Sequence, residues 1–176
     1  DPNTMTATST RLSYAQLAAH SKRIACALAG MGVAAGDVVA VQLPNWWHYA
    51  AVYAACVRIG AIINPLMPIF RERKLEFMLG LAEARVLVVP RNFRNFDYPS
   101  MALALRDQLP RLDHVVVVDG QDQETAFEHC LLGRAFEDEV DSAALFAARK
   151  PTANDVTEIM YTSGTTGEPK GVMHTN

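Results

Sequence analysis

The sequence predicts an α/β fold, a mostly parallel sheet flanked by helices. Two observations carry this. Short, largely apolar runs (VVAVQL at 38–43, and the continuously apolar VLVV at 86–89 and VVVV at 115–118) alternate with longer stretches of helical periodicity. Runs without polar alternation suit strands covered on both faces, which a parallel sheet with crossover helices provides. With 50% hydrophobic and 20% charged residues, the chain of 176 residues has an ordinary globular composition and the length of one domain.

Residues 13–31 read as the first helix. Ser13 and Gln16 stand at capping-box spacing, and Tyr14, Leu17, Ile24, Leu28 and Met31 share one face. Gly32 is a natural stop. A strand follows at 38–43, closed by Pro44, and Asn45 is placed to cap a helix over 46–59 that ends at Gly60. AIIN (61–64) is a short strand, after which Pro65 and Pro68 keep the chain irregular. A helix over 71–82 turns Leu75, Met78 and Leu79 inward. Strands at 86–89 and 115–118 enclose a helix from about Ser100 to Leu109. Residues 120–150 give only two short helical patterns, and the acidic run Glu137-Asp138-Glu139 reads as a solvated surface. EIMYT (158–162) is the last predicted strand.

Several function classes are disfavoured. A net charge of -3, with scattered basic residues, offers no footprint for nucleic acid or an anionic membrane surface. The apolar stretch from Tyr49 to Phe70 contains Arg58, Asn64, Pro65 and Pro68, so it is not a membrane span. Cys26, Cys56 and Cys130 have no CxxC spacing, and the five histidines have no HxxxH spacing. Cys26 and Cys56 fall in apolar helical patterns, which predicts buried reduced thiols and a cytoplasmic compartment.

The last strand feeds 162-TSGTTGEPKG-171 directly. Glycines at 164, 167 and 171 let a ligand approach the main chain, and Ser163, Thr165 and Thr166 add hydroxyls. Lys170 adds a mobile cation whose approach Pro169 restricts. Amide N–H groups, hydroxyls and an ammonium together suit a polyanion, above all the phosphates of a nucleotide. The loop is not the GxxxxGK[ST] type, because Gly171 follows Lys170 where a magnesium-binding hydroxyl would stand. The plain alternative is a surface turn rich in Gly, Ser and Thr, which an apolar strand seldom feeds in so ordered a pattern.

This loop resembles the signature of the adenylate-forming superfamily: acyl- and aryl-CoA synthetases, amino-acid adenylation domains and firefly-type luciferases. LSYAQL (12–17), GVAAGDVVAVQLPN (32–45) and GAIINPL (60–66) resemble that family's early landmarks, in order. Trp46 and Trp47, with PLMPIFRER (65–73), look most like synthetases for alicyclic or short-to-medium acids such as cyclohexanecarboxylate. The two tryptophans themselves read as packing residues. The resemblance implies the N-terminal part of the large domain of an adenylate-forming enzyme. On that reading residues 1–10 are a linker and 11–176 an incomplete AMP-binding domain with its phosphate loop at 162–171. The resemblance implies a C-terminal domain beyond Asn176, and the start at Asp1 without an initiator methionine leads to the expectation of further residues upstream.

The function implied is ATP-dependent activation of a carboxylic acid, as in fatty-acid metabolism, by way of an acyl-adenylate that passes to coenzyme A. ATP, Mg2+ and coenzyme A are the implied cofactor and co-substrates, with magnesium arriving on ATP rather than on protein ligands. Thr162, Ser163, Gly164, Thr165, Thr166 and Gly167 would wrap the β- and γ-phosphates, and Lys170 would neutralise part of their charge. His174 stands where the family often places a histidine near the reacting carboxylate; as a lone histidine it equally suits a packed or solvent-facing position. Two alternatives remain: an amino-acid adenylation domain feeding a carrier protein, and a catalytically inactive nucleotide-binding fragment. A fragment is expected to lack ligase activity alone, and to expose an apolar patch around strands 86–89 and 115–118.

Overall fold

The structure, a computed structural model, describes residues 10–162 and 169–175. The expected linker at 1–10 therefore lies outside the described residues except for its last position. Helix α1 (Tyr14–Gly30) is started by Ser13, whose Oγ accepts the Gln16 N–H at 3.2 Å while Gln16 Oε1 accepts the Ser13 N–H at 2.8 Å. These bonds satisfy two amides that lie beyond the helix's own ladder. Full burial in α1 begins only at Ser21; in the first turn Leu17 packs against the core, whereas Tyr14, expected on the inner face, is 93% exposed.

The strands are β1 (Val38–Val41), β2 (Ile62–Pro65), β3 (Ala84–Pro90), β4 (Asn92–Phe93), β5 (Phe96–Asp97), β6 (His114–Val118), β7 (Val156–Thr162) and β8 (Lys170–Thr175). Between them lie α2 (Trp47–Ile59), α3 (Glu72–Leu81), α4 (Tyr98–Gln108), α5 (Phe127–Leu132), a single 3-10 turn (Phe136–Asp138) and α6 (Ser142–Ala148). The main sheet has the order β6-β3-β1-β2-β7-β8 and is parallel except for β8, which runs back along β7. A separate hairpin pairs β4 with β5.

Strand side chains alternate between faces, so each apolar run feeds two cores. On one face Val39, Val41, Ile63, Val86, Val88 and Val116 meet α1, α2 and α5 through Ile24, Leu28, Val52, Ile59 and Phe127. On the other, Val38, Ala40, Leu87, Val89, Val115 and Val117 meet α3 and α4 through Leu75, Met78, Leu79, Tyr98 and Leu105. Each fully buried large aliphatic side chain stabilises the fold by roughly 1.5–3 kcal/mol. From β1 the chain moves to β2 on one side, then crosses to β3 and β6 on the other. Right-handed crossovers in opposite directions put α2 on one face and α3 and α4 on the other. This reversal opens a crevice at the carboxyl ends of β1 and β3, where open α/β sheets place ligands.

Several expectations are corrected. Strands β3 and β6 are covered on both faces, with Val86 to Val89 all at 0% exposure, because the returning helices gather over that half of the sheet. A group of exposed apolar residues sits instead at the opposite edge: Met160 at 44%, Val172 at 39% and Met173 at 69%. Asn45 does not cap α2, whose N-cap is Trp46 with no side-chain hydrogen bond. Strand β2 runs on to include Pro65 rather than ending at Asn64. The acidic run is not wholly solvated, for Glu137 accepts from Arg23 Nη2 at 2.9 Å and ties the 3-10 turn to α1. The hairpin β4–β5 and strand β8 were not expected from the sequence.

Candidate functional site

The predicted phosphate loop closes the antiparallel pair β7–β8. The strands are in register from Glu158↔His174 through Ile159↔Met173, Met160↔Val172 and Tyr161↔Gly171 to Thr162↔Lys170. Gly171 fits this pairing closely: a Cβ there would lie 3.5 Å from both Ile159 Cγ2 and Tyr161 Cε1. Thr162 and Lys170 thus face each other across the open end of the hairpin, and both are exposed. Directly opposed residues stand about 5 Å apart at Cβ, so one hydroxyl and one ammonium flank the loop they enclose. Ser163, Gly164, Thr165, Thr166 and Gly167 lie outside the described residues.

His174 is brought onto the same face but not to the same place. Four residues beyond Lys170 along β8, it is separated from it by about 13 Å of extended chain and is exposed opposite Glu158. Glu158 lies near Tyr49 and Tyr53 of α2; burial first, then this carboxylate, raises both phenol pKa values. Glu158, Met160, Thr162, Lys170, Val172 and His174 therefore share one open face beside α2, by the period-2 rule.

The opposite face of β7 is held in place. Ile159 and Tyr161 pack on the α3–α4 core, and the Tyr161 hydroxyl donates to the Met78 carbonyl of α3. Burial pushes the Tyr161 phenol up to about 12, so it stays protonated and keeps donating. Asn64 Nδ2 donates to the Ile159 carbonyl at 2.7 Å.

The sequence reading did not reach two other features at the carboxyl ends of the strands. The first is a polar cleft of about 600 Å³ lined by Arg91, Asn92, Asp97, Pro99 and Asp119, beyond the ends of β3 and β6. Arg94, Asn95 and Asp119, at or near this cleft, have left-handed backbone with φ of 54°, 58° and 59°. Arg94 and Asn95 are the two turn residues of the β4–β5 hairpin, and a tight two-residue turn of this kind requires positive φ at both. RNFRNFDY carries no motif that would have flagged the cleft. The second is the aromatic group at the start of α2. His48 stacks on Trp47 with centroids 3.9 Å apart and meets the edge of Phe127 at 5.0 Å, while Trp46 meets Phe93 at 6.4 Å. Burial lowers the His48 pKa to about 4, and its Nδ1 is buried without a partner. Trp46 and Trp47 are packing residues, as expected.

The donor set at the hairpin mouth suits an anion rather than a metal ion. It holds a hydroxyl and an ammonium, and among the described residues no three His, Cys, Asp or Glu side chains gather into a metal site. Cys26 and Cys56 are free and buried, and burial pushes the Cys56 thiol up to about 12. No described helix is long and apolar enough to cross a membrane.

Comparison with known proteins shows the family to which the chain belongs. A medium-chain fatty-acid–CoA ligase of Escherichia coli is 34% identical over 145 residues, spanning 82% of this chain and 25% of that protein. The 2-hydroxy-7-methoxy-5-methyl-1-naphthoate–CoA ligase of Streptomyces carzinostaticus is 33% identical over 170 residues, 94% of this chain and 30% of its own. Among solved structures, a Mycobacterium tuberculosis fatty acyl CoA synthetase superposes with a TM-score of 0.71 at 26% identity, covering 96% of this chain and 30% of that one. The chain thus spans less than a third of the length of these relatives. The family model described as AMP-binding enzyme matches residues 2–176, and the chain belongs to that family of adenylate-forming enzymes.

Proposed function

We propose that this chain is the N-terminal portion of an ATP-dependent, AMP-forming acid–CoA ligase, and that residues 162–171 hold the β- and γ-phosphates of ATP. The observation that carries the reading is the pairing of Thr162 with Lys170 at the mouth of the β7–β8 hairpin. It frames a Gly/Ser/Thr loop between a hydroxyl and a cation. The names of the relatives, ligases for a medium-chain fatty acid and for a naphthoate, support a carboxylic acid as the second substrate.

A carboxylic acid with a pKa of about 4–5 is already ionised at neutral pH, so its attack on the α-phosphorus needs no general base. The step instead requires stabilisation of the charge on departing pyrophosphate, from donors fixed in advance. Lys170 supplies a cation there and Thr162 a hydroxyl. Magnesium bound to ATP would add further charge neutralisation. The role near the reacting carboxylate that the resemblance implies for His174 rests on that resemblance alone; along β8 it shares the face of Lys170 but stands opposite Glu158. The 600 Å³ cleft and the β7–β8 face lie at the same, carboxyl end of the sheet.

The chain alone is proposed to bind the phosphates weakly and to lack ligase activity, because it spans only 25–30% of the relatives' length. Titration with Mg-ATP, and with Mg-tripolyphosphate to isolate the phosphates from adenine, is expected to shift the amide signals of Thr162 and Gly171. Lys170→Ala should weaken both titrations by about tenfold, the usual scale for a lost charge-assisted contact. Equal binding by the variant would overturn the assignment. Acyl-CoA formation by the chain alone, with octanoate, cyclohexanecarboxylate or salicylate, would overturn the proposed inactivity.

A further inference from the structure

Strand β7 delivers the loop, yet it is joined to β2 by a single registered pair, Ile63↔Glu158. The reason is written in the Asn64-Pro65 dipeptide. The N–H groups of Ile62 and Leu66 donate towards β1, to the carbonyls of Asp37 at 2.8 Å and Val41 at 2.9 Å. Alternation along the strand then turns the N–H positions of Ile63 and Pro65 towards β7. Continuing the ladder from Ile63↔Glu158 would require residue 65 to donate to the carbonyl of Ile159, and proline has no N–H. That carbonyl instead accepts from Asn64 Nδ2 at 2.7 Å. The side-chain amide stands in for the missing backbone donor. Asn64 is fully buried, and its Oδ1 has no partner, so the bond to Ile159 is what its amide makes there.

Two residues further on, the Tyr161 hydroxyl fastens the same strand to the Met78 carbonyl of α3. Beyond Ile159, β7 has no registered pair with β2, and two side-chain hydrogen bonds fasten it there: Asn64 in the plane of the sheet and Tyr161 below it. Thr162 is the next residue, and Lys170 is its partner in β8.

We propose that Asn64 and Tyr161 are positioning residues for the phosphate loop, fixing the height and tilt of the hairpin end that carries Thr162 and Lys170. The role rests on the phosphate-binding reading of that loop. The decisive experiment is hydrogen exchange by NMR on the chain with Asn64→Ala, with Tyr161→Phe, and with Asn64→Ala combined with Pro65→Val. The Pro65→Val change restores a backbone N–H opposite the Ile159 carbonyl. Asn64→Ala and Tyr161→Phe should each speed exchange in residues 159–162 and 170–175 by about tenfold, the loss of one hydrogen bond, and leave β3 and β6 unchanged. Both should weaken Mg-tripolyphosphate binding by a similar factor. The double variant should recover protection and affinity, which a mere packing role for Asn64 would not allow.

Unchanged exchange in the hairpin, a uniform rise through the whole sheet, or failure of Pro65→Val to rescue would each overturn the tether. So would altered exchange with unaltered affinity. If the unaltered chain binds no Mg-tripolyphosphate, the phosphate-loop reading fails and the positioning role with it. The exchange measurements need no ligand, and separate that failure from a failure of the tether itself.

Discussion

Burial against Trp47 and Phe127 outweighs the pull of the Asp119 carboxylate and keeps His48 neutral, although Glu128 Oε1 stands 3.8 Å from its Nε2. This gives the fold a pH dependence with a definite sign. Its pKa falls from 6.5 to about 4 on folding, chiefly by burial. Below the unfolded value the unfolded chain binds a proton that the native state refuses, so stability declines as pH drops from about 6.5 towards about 4. Unfolding in urea should show a loss of roughly 2 kcal/mol between pH 7 and pH 5, and His48→Phe should remove most of that slope. Glu137 contributes at lower pH. Hydrogen bonds from Arg23 outweigh burial and lower its pKa from 4.5, so its stabilisation is present above that value and is lost as pH falls through the depressed one. The pair is partly exposed, which limits it to about 1 kcal/mol. Arg85 is another kind of charge. It joins Asp37, Asp113 and the Gly32 carbonyl at the amino ends of β1, β3 and β6, far from the loop, and serves to align strand starts.

At the scale of elements, the turn from α2 into β2 depends on one glycine. Gly60 ends α2 with φ of 67°, and a Cβ there would stand 2.7 Å from the Arg149 carbonyl oxygen. Arg149 is held independently, its Nη1 donating to the Val33 carbonyl at 2.7 Å. The segment after α6 cannot easily retreat, and a larger side chain must either strain the cap or displace that segment. Gly60→Ala should therefore destabilise by more than about 1 kcal/mol in a thermal or urea melt, the ordinary cost of forcing alanine into left-handed backbone. Helix α4 illustrates the opposite, a start that is robust. Asp97 caps it through the Ser100 N–H, and Pro99 sits in its first turn. Its sequence, DYPS, is a conventional helix opening.

For the molecule as a whole, the two edges of the sheet differ. Strand β6 is buried, whereas β8 is exposed along its length and presents Val172 beside Met160 on one face and Met173 on the other. An edge strand with free N–H and C=O groups and apolar side chains invites pairing with another chain. The chain is expected to self-associate as its concentration rises, and Met173→Lys should shift that association to higher concentration without lowering the melting temperature. Sedimentation velocity across a concentration series measures both the wild type and the variant. The sequence reading also anticipated association, but placed the patch around 86–89 and 115–118, which the helices cover.

Local chemistry was legible from residues alone. The capping box of α1, the stop at Gly60, the apolar strands and the phosphate-loop signature each depend on side chains close together in the chain, and each is written in a few consecutive positions. Continuous apolar runs announced burial on both faces because no polar alternation was present to mark a wet side. The strand order β6-β3-β1-β2-β7-β8 was not legible, since a buried strand names no neighbour. Nor was β8, whose KGVMHT becomes a strand by pairing with β7 rather than by its own propensity. The opposition of Thr162 and Lys170, the drying of His48 by Phe127, and the Asn64 bond to Ile159, 95 positions away, were likewise decided only in three dimensions. The sequence by itself determined the central strands and the long helices, and marked 162–171 by its Gly/Ser/Thr and lysine pattern, but not β4, β5 or β8. Tertiary structure decided what strand β7 is fastened to, because hydrogen bonds and burial between distant segments exist only once the sheet has assembled.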